Sequence, residues 1–153
     1  MADTSPLADP GSGKADPTVA DATSSVLRMG LGPLAEKMGI ELVTASAERT
    51  VGIMPVAGNT QPHGLLNGGA SVVLGETLGS LAATLHAGPG RAAVGLDVNA
   101  THHRAAREGT LTGVATAVHL GGRVASYEWV VTDEPGRRIC SGRLTCAVVD
   151  LPD

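Results

Sequence analysis

Residues Gln61–His86 read QPHGLLNGGASVVLGETLGSLAATLH. From Asn67 onward the run consists of small and aliphatic side chains with a single formal charge, Glu76. Asn67 is a natural N-cap and the HAGPG segment (86–90) a natural stop, so the stretch predicts one long helix. Three and four residues from Glu76 along that helix stand Val72, Val73, Gly79 and Ser80, none of them a cation. Such an acid has two readings. Either it pairs with a strand arginine, Arg104 or Arg143 for instance, or sits at a solvated edge; or it lies in an apolar setting that raises its proton affinity and suits it to proton transfer.

The flanks on either side change period. IELVTASAERTVGIMPV alternates well enough for two strands, Ile40–Ala47 and Arg49–Val56, closed by a tight turn, and AGNTQPHGLL reads as a loop. Ahead of these, Val26, Leu27, Leu31, Leu34 and Met38 suggest a short helix from Ser25, interrupted by Gly30 and Gly32-Pro33. After the long helix come four strand-length runs: RAAVGLDVNATHHR, GTLTGVATAVHL, RVASYEWVVTD and RRICSGRLTCAVV. The breaks between them, AAREG, GG and DEPG, carry turn chemistry and favour antiparallel neighbours. With two strands before one long apolar helix and four after it, the expected architecture is α+β, a single antiparallel sheet wrapped around a central helix.

Composition narrows the function classes. The 153 residues are 42% hydrophobic and 17% charged, which suits one domain with a real core. Residues 1 to 24, rich in Pro, Gly, Asp, Ser and Ala, lack apolar periodicity and read as a disordered tail, leaving residues 25–150 for the domain. A net charge of −4 and no basic run interleaved with aromatics argue against nucleic acid as a partner. There is no Phe, one Trp and one Tyr, so Val, Leu, Ala and Met must build the core. The glycines, hydroxyls and acid of the long helix argue against a membrane span. Cys140 and Cys146 share one predicted strand about 20 Å apart and cannot bridge within it; no leader pattern suggests export, so reduced thiols in a cytosol are expected.

The helix start adds a second chemical element. Gly68 and Gly69 leave the first backbone N–H groups unobstructed, and a helix N-terminus favours an oxyanion placed against it, although glycines there also serve close packing. Gln61 and His63 lie in the loop just before, where a polar side chain can orient water or a carbonyl. A metal is not expected: His86, His102, His103 and His119 match no common ligand spacing, and adjacent His102 and His103 should point to opposite faces of a strand, so that only one can face a ligand. No G-x-S-x-G is present, and GPGRAAVG follows a helix and precedes a strand, the reverse of a dinucleotide loop. Arg104, Arg123 and Arg143 carry guanidinium groups that suit phosphate geometry, or are simply solubilising.

NTQPHGLLNGGASVVLGETLGSLAA resembles the signature of the hotdog-fold acyl-CoA thioesterases, in the branch of 4-hydroxybenzoyl-CoA thioesterase and its relatives acting on 1,4-dihydroxy-2-naphthoyl-CoA or phenylacetyl-type thioesters. VGLDVNATHHRAAREG, VHLGGR and RLTCAVV are similar to later segments of that branch, so the resemblance runs from about Val26 to Val149. It implies a hotdog fold, hydrolysis of an acyl-CoA, and no cofactor, and it makes Arg104, Arg123 and Arg143 candidates for the phosphates of coenzyme A. Glu76 matches the catalytic carboxylate, a nucleophile or general base; Gln61 the glutamine that positions water or substrate; Gly68 the oxyanion N–H; and Ser80 a supporting hydroxyl. It further implies a homo-oligomer, a dimer or a dimer of dimers, in which loop and helix start come from one protomer and the acid from its partner. Where the branch usually reads His-Gly-Gly, this chain has Asn67-Gly68-Gly69, and Asn67 cannot carry a proton. His63 is a possible substitute. The alternative from another class is a hotdog domain that binds acyl-CoA or an acyl-carrier protein without turnover.

Overall fold

The computed structural model describes residues 30–152. The expected tail and the helical positions Val26 and Leu27 lie outside them. The first helix among the described residues, α1 (Pro33–Lys37), begins after Gly32, which takes a φ of 86° ahead of Pro33 in the first turn. The Gly-Pro pair therefore opens this helix instead of interrupting it, because proline's missing N–H costs nothing at the first position. Strands β1 (Glu41–Ala45) and β2 (Arg49–Pro55) form the expected hairpin. Its turn is closed by the Ser46 hydroxyl, which accepts from the N–H groups of Glu48 and Arg49 at 3.2 and 3.1 Å.

The long helix, α2 (Gly68–Ala87), stands where the sequence predicts it, capped by Asn67 and ended by Gly88 at φ 74°. Four strands follow: β3 (Arg91–His102), β4 (Thr110–Leu120), β5 (Val124–Thr132) and β6 (Arg138–Asp150). The six strands of the described residues form one antiparallel sheet in the order β1-β2-β4-β5-β6-β3. The fold is α+β, with α2 packed across one face of the sheet. Among the described residues no helix is long and apolar enough to cross a membrane.

One expected pairing fails. The AAREG break suggests that β3 and β4 are neighbours, yet β3 pairs with β6 and β4 lies between β2 and β5. Residues 103–109 therefore cross the ends of β6 and β5 to reach β4. Three inter-strand steps are about 14 Å, well within what seven residues span. Short length alone did not make this break a hairpin. The crossing segment is fastened at both ends: the His103 N–H donates to Ile139 O at 2.8 Å, and Val56 N–H donates to Gly109 O at 3.0 Å.

The core lies between helix and sheet, where Leu74, Leu78 and Ala82 of α2 meet Met54, Leu111, Ala115 and Leu144, all at 1% exposure or less. Both aromatics sit on the central strand β5 and are buried. Tyr127 donates its hydroxyl to Ala47 O at 2.9 Å, and burial pushes its phenol above the ordinary range. The Trp129 indole lies between two glycines. A Cβ at Gly75 of α2 would stand 2.6 Å from Trp129 Cε3, and one at Gly142 of β6 2.7 Å from Cε2. These two missing side chains make room for the indole between the helix backbone and the sheet. Cys140 and Cys146 are free and buried, facing the helix; burial pushes both thiols up.

Candidate active site

The loop before α2 is tied into a compact shape by its own backbone. Asn67 N–H donates to Asn59 O at 2.9 Å and Gln61 N–H to Leu65 O at 2.7 Å, while Asn59 Nδ2 donates to Met38 O and Pro55 O at 2.8 and 2.9 Å. Gln61 Oε1 accepts from the His63 N–H at 2.6 Å, which holds the amide oxygen and leaves the NH₂ without a hydrogen-bond partner among the described residues. The Asn67 side chain accepts from Gly69 N–H at 2.8 Å and is thereby committed to capping.

The crossing segment 103–109 packs over this helix start, joined to it by Leu66 N–H donating to Ala106 O at 2.8 Å. Between them lies a cavity of about 440 Å³ bordered by Gln61, Gly68, Ser71, His102, His103 and Arg104, with Leu65, Leu66, Ala106 and Ile139 as apolar walls. Its polar end is the first turn of a 20-residue helix; Gly69 N–H is taken by the Asn67 side chain and Ala70 N–H by the Asn67 carbonyl, so the Gly68 N–H, with the helix dipole behind it, is the donor left to favour a developing negative charge. The His102 ring covers that turn. A Cβ at Gly68 would stand 2.9 Å from His102 Nε2, so glycine lets the imidazole lie directly against the helix start.

Both histidines border the cavity, against the expectation that only one could. The alternation of faces stops where β3 stops, at His102, and His103 belongs to the crossing segment. The His103 ring is held by Ser141 Oγ at 2.8 Å. His63 is exposed and does not border the cavity. Arg104 stands at the mouth. Arg123, in the β4–β5 turn, and Arg143, on β6 opposite Asn99 and Glu128, are exposed and border neither this cavity nor the next.

Glu76 and Ser80 project elsewhere. They line a second groove, of about 360 Å³, with Val73, Thr77, Leu81 and Thr84 of α2 and the segment Gly30–Leu34 opposite. Glu76 is half-buried, and among the described residues the ion pairs are Arg91–Asp150 and Arg137–Asp133, so neither Arg104 nor Arg143 neutralises it. Its carboxylate lies beside the edge strand: Oε1 is 3.9 Å from where a Cβ on Gly95 would be. Burial, with the Glu76 charge adding to it, raises the Cys146 thiol at that point of the sheet. Among the described residues β3 pairs only with β6; it bulges between Gly95 and Asp97 and exposes Val94 and Leu96 at 51% and 62%. A single chain thus brings Gln61, Gly68 and His102 together, and Glu76 with Ser80, without joining the two groups. Ser71 was missed in the sequence, although its place three residues after Gly68 puts it on the same helical face.

Known proteins give this geometry its setting. Residues 63–140 match the family model described as the thioesterase superfamily. The chain is similar to the proofreading thioesterase EntH of Cronobacter turicensis, 44% identical over 120 residues that cover 78% of this chain and 88% of that one. It is similar in structure to the thioesterase HI1161 of Haemophilus influenzae, with a TM-score of 0.79 and 34% identity over 86% of this chain and 92% of that one. A third likeness is to SAV0944 of Staphylococcus aureus, in a glutamate-to-alanine variant, with a TM-score of 0.75 and 30% identity over 78% of this chain and 100% of that one. The same protein, named a thioesterase, is also matched as a glutamine-to-alanine variant, at a TM-score of 0.73 and 29% identity over 76% and 98%. With a matching family model and a relative of this identity, the chain belongs to the thioesterase superfamily and is a thioester hydrolase of the hotdog fold.

Proposed function

We propose that the protein hydrolyses an acyl-CoA thioester, its acyl group aromatic, to the free acid and coenzyme A at a site shared by two copies of the chain. The observation that carries this reading is the separation of the two halves. Gln61, Gly68 and His102 border one cavity and Glu76 and Ser80 another, so an acid must reach the helix start from a partner. The long edge of β3, which no other strand of the described residues covers and which is apolar at Val94 and Leu96, supports pairing of two such edges. Two variants matched in SAV0944 also support the assignment of the pair, since its substituted glutamine and glutamate are as far apart in sequence as Gln61 and Glu76.

In this reading the thioester carbonyl oxygen accepts from Gly68 N–H, with the helix dipole behind it, and the Gln61 amide orients the carbonyl or the water. The partner's carboxylate, equivalent to Glu76, either attacks the carbonyl carbon, forming an anhydride that water opens, or removes a proton from the attacking water. In both routes the C–S bond breaks and the sulfur leaves as thiolate. Ser80, one turn from the acid, supports the water. His102, against Gly68, is the imidazole placed to meet the departing sulfur, a position that His63 does not occupy and Asn67, tied up as a cap, cannot fill. Arg104 at the mouth suits a phosphate of coenzyme A, and Arg123 and Arg143 serve the same ligand only if the partner brings them to it. We place the enzyme in the cytoplasm, where its two free thiols stay reduced; a dimer of dimers is the assembly expected. The aromatic acyl class rests on the resemblance of residues 26–149 to aryl-thioester hydrolases.

Release of thiol from a panel of aromatic and aliphatic acyl-CoAs tests this, with native protein beside Glu76→Ala. Turnover of aromatic members that disappears in the variant is expected. Turnover that survives the loss of the carboxylate contradicts it.

A further inference from the structure

Ser71 has no assigned place in the chemistry above, and its state is unusual. It is 0% exposed, and its Oγ is one of two buried side-chain polar atoms among the described residues without a hydrogen-bond partner. The other, Trp129 Nε1, belongs to the indole packed one turn further along the same helix, at Gly75. A buried hydroxyl left unpaired costs free energy, and a serine inside a helix can usually satisfy itself on the carbonyl four residues back. Here the Asn67 carbonyl instead receives the Ala70 N–H. Ser71 also lines the cavity that holds Gln61 and Gly68, where its neighbours at the deep end, Ala106 and Ile139, are apolar and buried at 7% and 2%. Of the buried residues lining that cavity, Ser71 is the polar one; its hydroxyl has no protein partner and in this rotamer is closed off from the open space.

Resting on the thioesterase reading of this cavity, we propose that Ser71 is a specificity residue, whose hydroxyl pairs with a hydrogen-bonding substituent on the acyl group. Its place on the helix sets which substituent. Ser71 lies three residues beyond Gly68 on the same face, about 4.5 Å further along the axis. With the carbonyl oxygen on Gly68 N–H, an oxygen within hydrogen-bond reach of Ser71 sits about two to three bonds from the carbonyl carbon, that is, on the second or third acyl carbon. The serine turns about χ1 between staggered positions to meet it. An acyl group lacking that oxygen buries an apolar atom against an unpaired hydroxyl, and the site discriminates against it.

The test is the ratio of kcat/KM for two acyl-CoAs that differ only in a hydroxyl on the second or third acyl carbon, measured for the native protein, Ser71→Ala and Ser71→Cys. The native ratio is expected to favour the hydroxylated member on the order of tenfold to a hundredfold, and to collapse toward one in both variants. The melting temperature of Ser71→Ala without ligand should not fall, because the lost hydroxyl had no partner; a serine held by an unseen structural bond would lower it. A native ratio near one, a ratio that survives Ser71→Ala, or an equal loss on both substrates with a lowered melting temperature overturns the proposal. A folded native protein that hydrolyses neither member of any pair overturns the thioesterase reading and this inference with it, and is told apart by silence on the unsubstituted substrate as well.

Discussion

At the scale of single residues, the chain divides one reaction among side chains that it does not itself bring together. Among the described residues Glu76 is in no ion pair, and it stands beside an edge strand, so replacing it with glutamine removes chemistry without unpairing any of them. Glu76→Gln should keep the fold, seen as an unchanged melting curve, while thiol release falls by about 10²–10⁴-fold, the usual worth of a positioned proton-transfer group. Asn67 behaves in the opposite way. Its carboxamide caps α2 through Gly69 N–H, so Asn67→Ala should cost about 1 kcal/mol of stability, read as a lower urea midpoint at constant slope. Glu76, Gln61 and Gly68 were legible as candidates because each is a local anomaly: an acid in an apolar helix, an amide before a cap, a glycine pair at a helix start. The pairing of His102 with His103 around one cavity was not legible, because strand alternation holds only while the strand lasts, and nothing local marks its end at residue 102. His63 drew attention by its proximity in sequence to the helix, but its loop turns it to solvent.

The elements follow local patterning, and their arrangement follows packing. The helix was readable from its cap, its length and its stop, and the six strands from period-two runs. The order of the sheet was not, since the place of β3 beyond β6 depends on a crossing segment whose length alone would also suit a hairpin. That crossing builds the cavity, by laying residues 103–109 over the first turn of α2. Helix and sheet meet at Trp129, between Gly75 and Gly142. A methyl group at Gly75 has no room against the indole, so Gly75→Ala should destabilise the protein by about 1–3 kcal/mol and shift the fluorescence of its single tryptophan. A Leu74→Ala substitution on the neighbouring buried position should cost about 2–5 kcal/mol by leaving a cavity, without the spectral change.

For the molecule as a whole, the buried titratable groups set an alkaline limit. Tyr127, Cys140 and Cys146 are all raised, chiefly by burial, from ordinary values of 10.0, 9.0 and 9.0. Each gives up its proton more readily when unfolded, so the stability it contributes is complete below its ordinary value and is lost as pH rises beyond it. Urea midpoints should therefore fall from about pH 9 upward, and Cys146→Ala should flatten the first part of that decline. The larger claim is that the active site belongs to two chains. Its most direct measurement mixes two impaired variants, Glu76→Ala and Gln61→Ala, allows subunits to reassort, and follows thiol release. A mixed dimer then carries one site with both residues intact and one with neither. Activity returning to about a quarter of native, from half the dimers each with one working site, is the predicted result. Activity that stays at the sum of the two variants after reassortment would place both residues in a site within one chain and contradict the account.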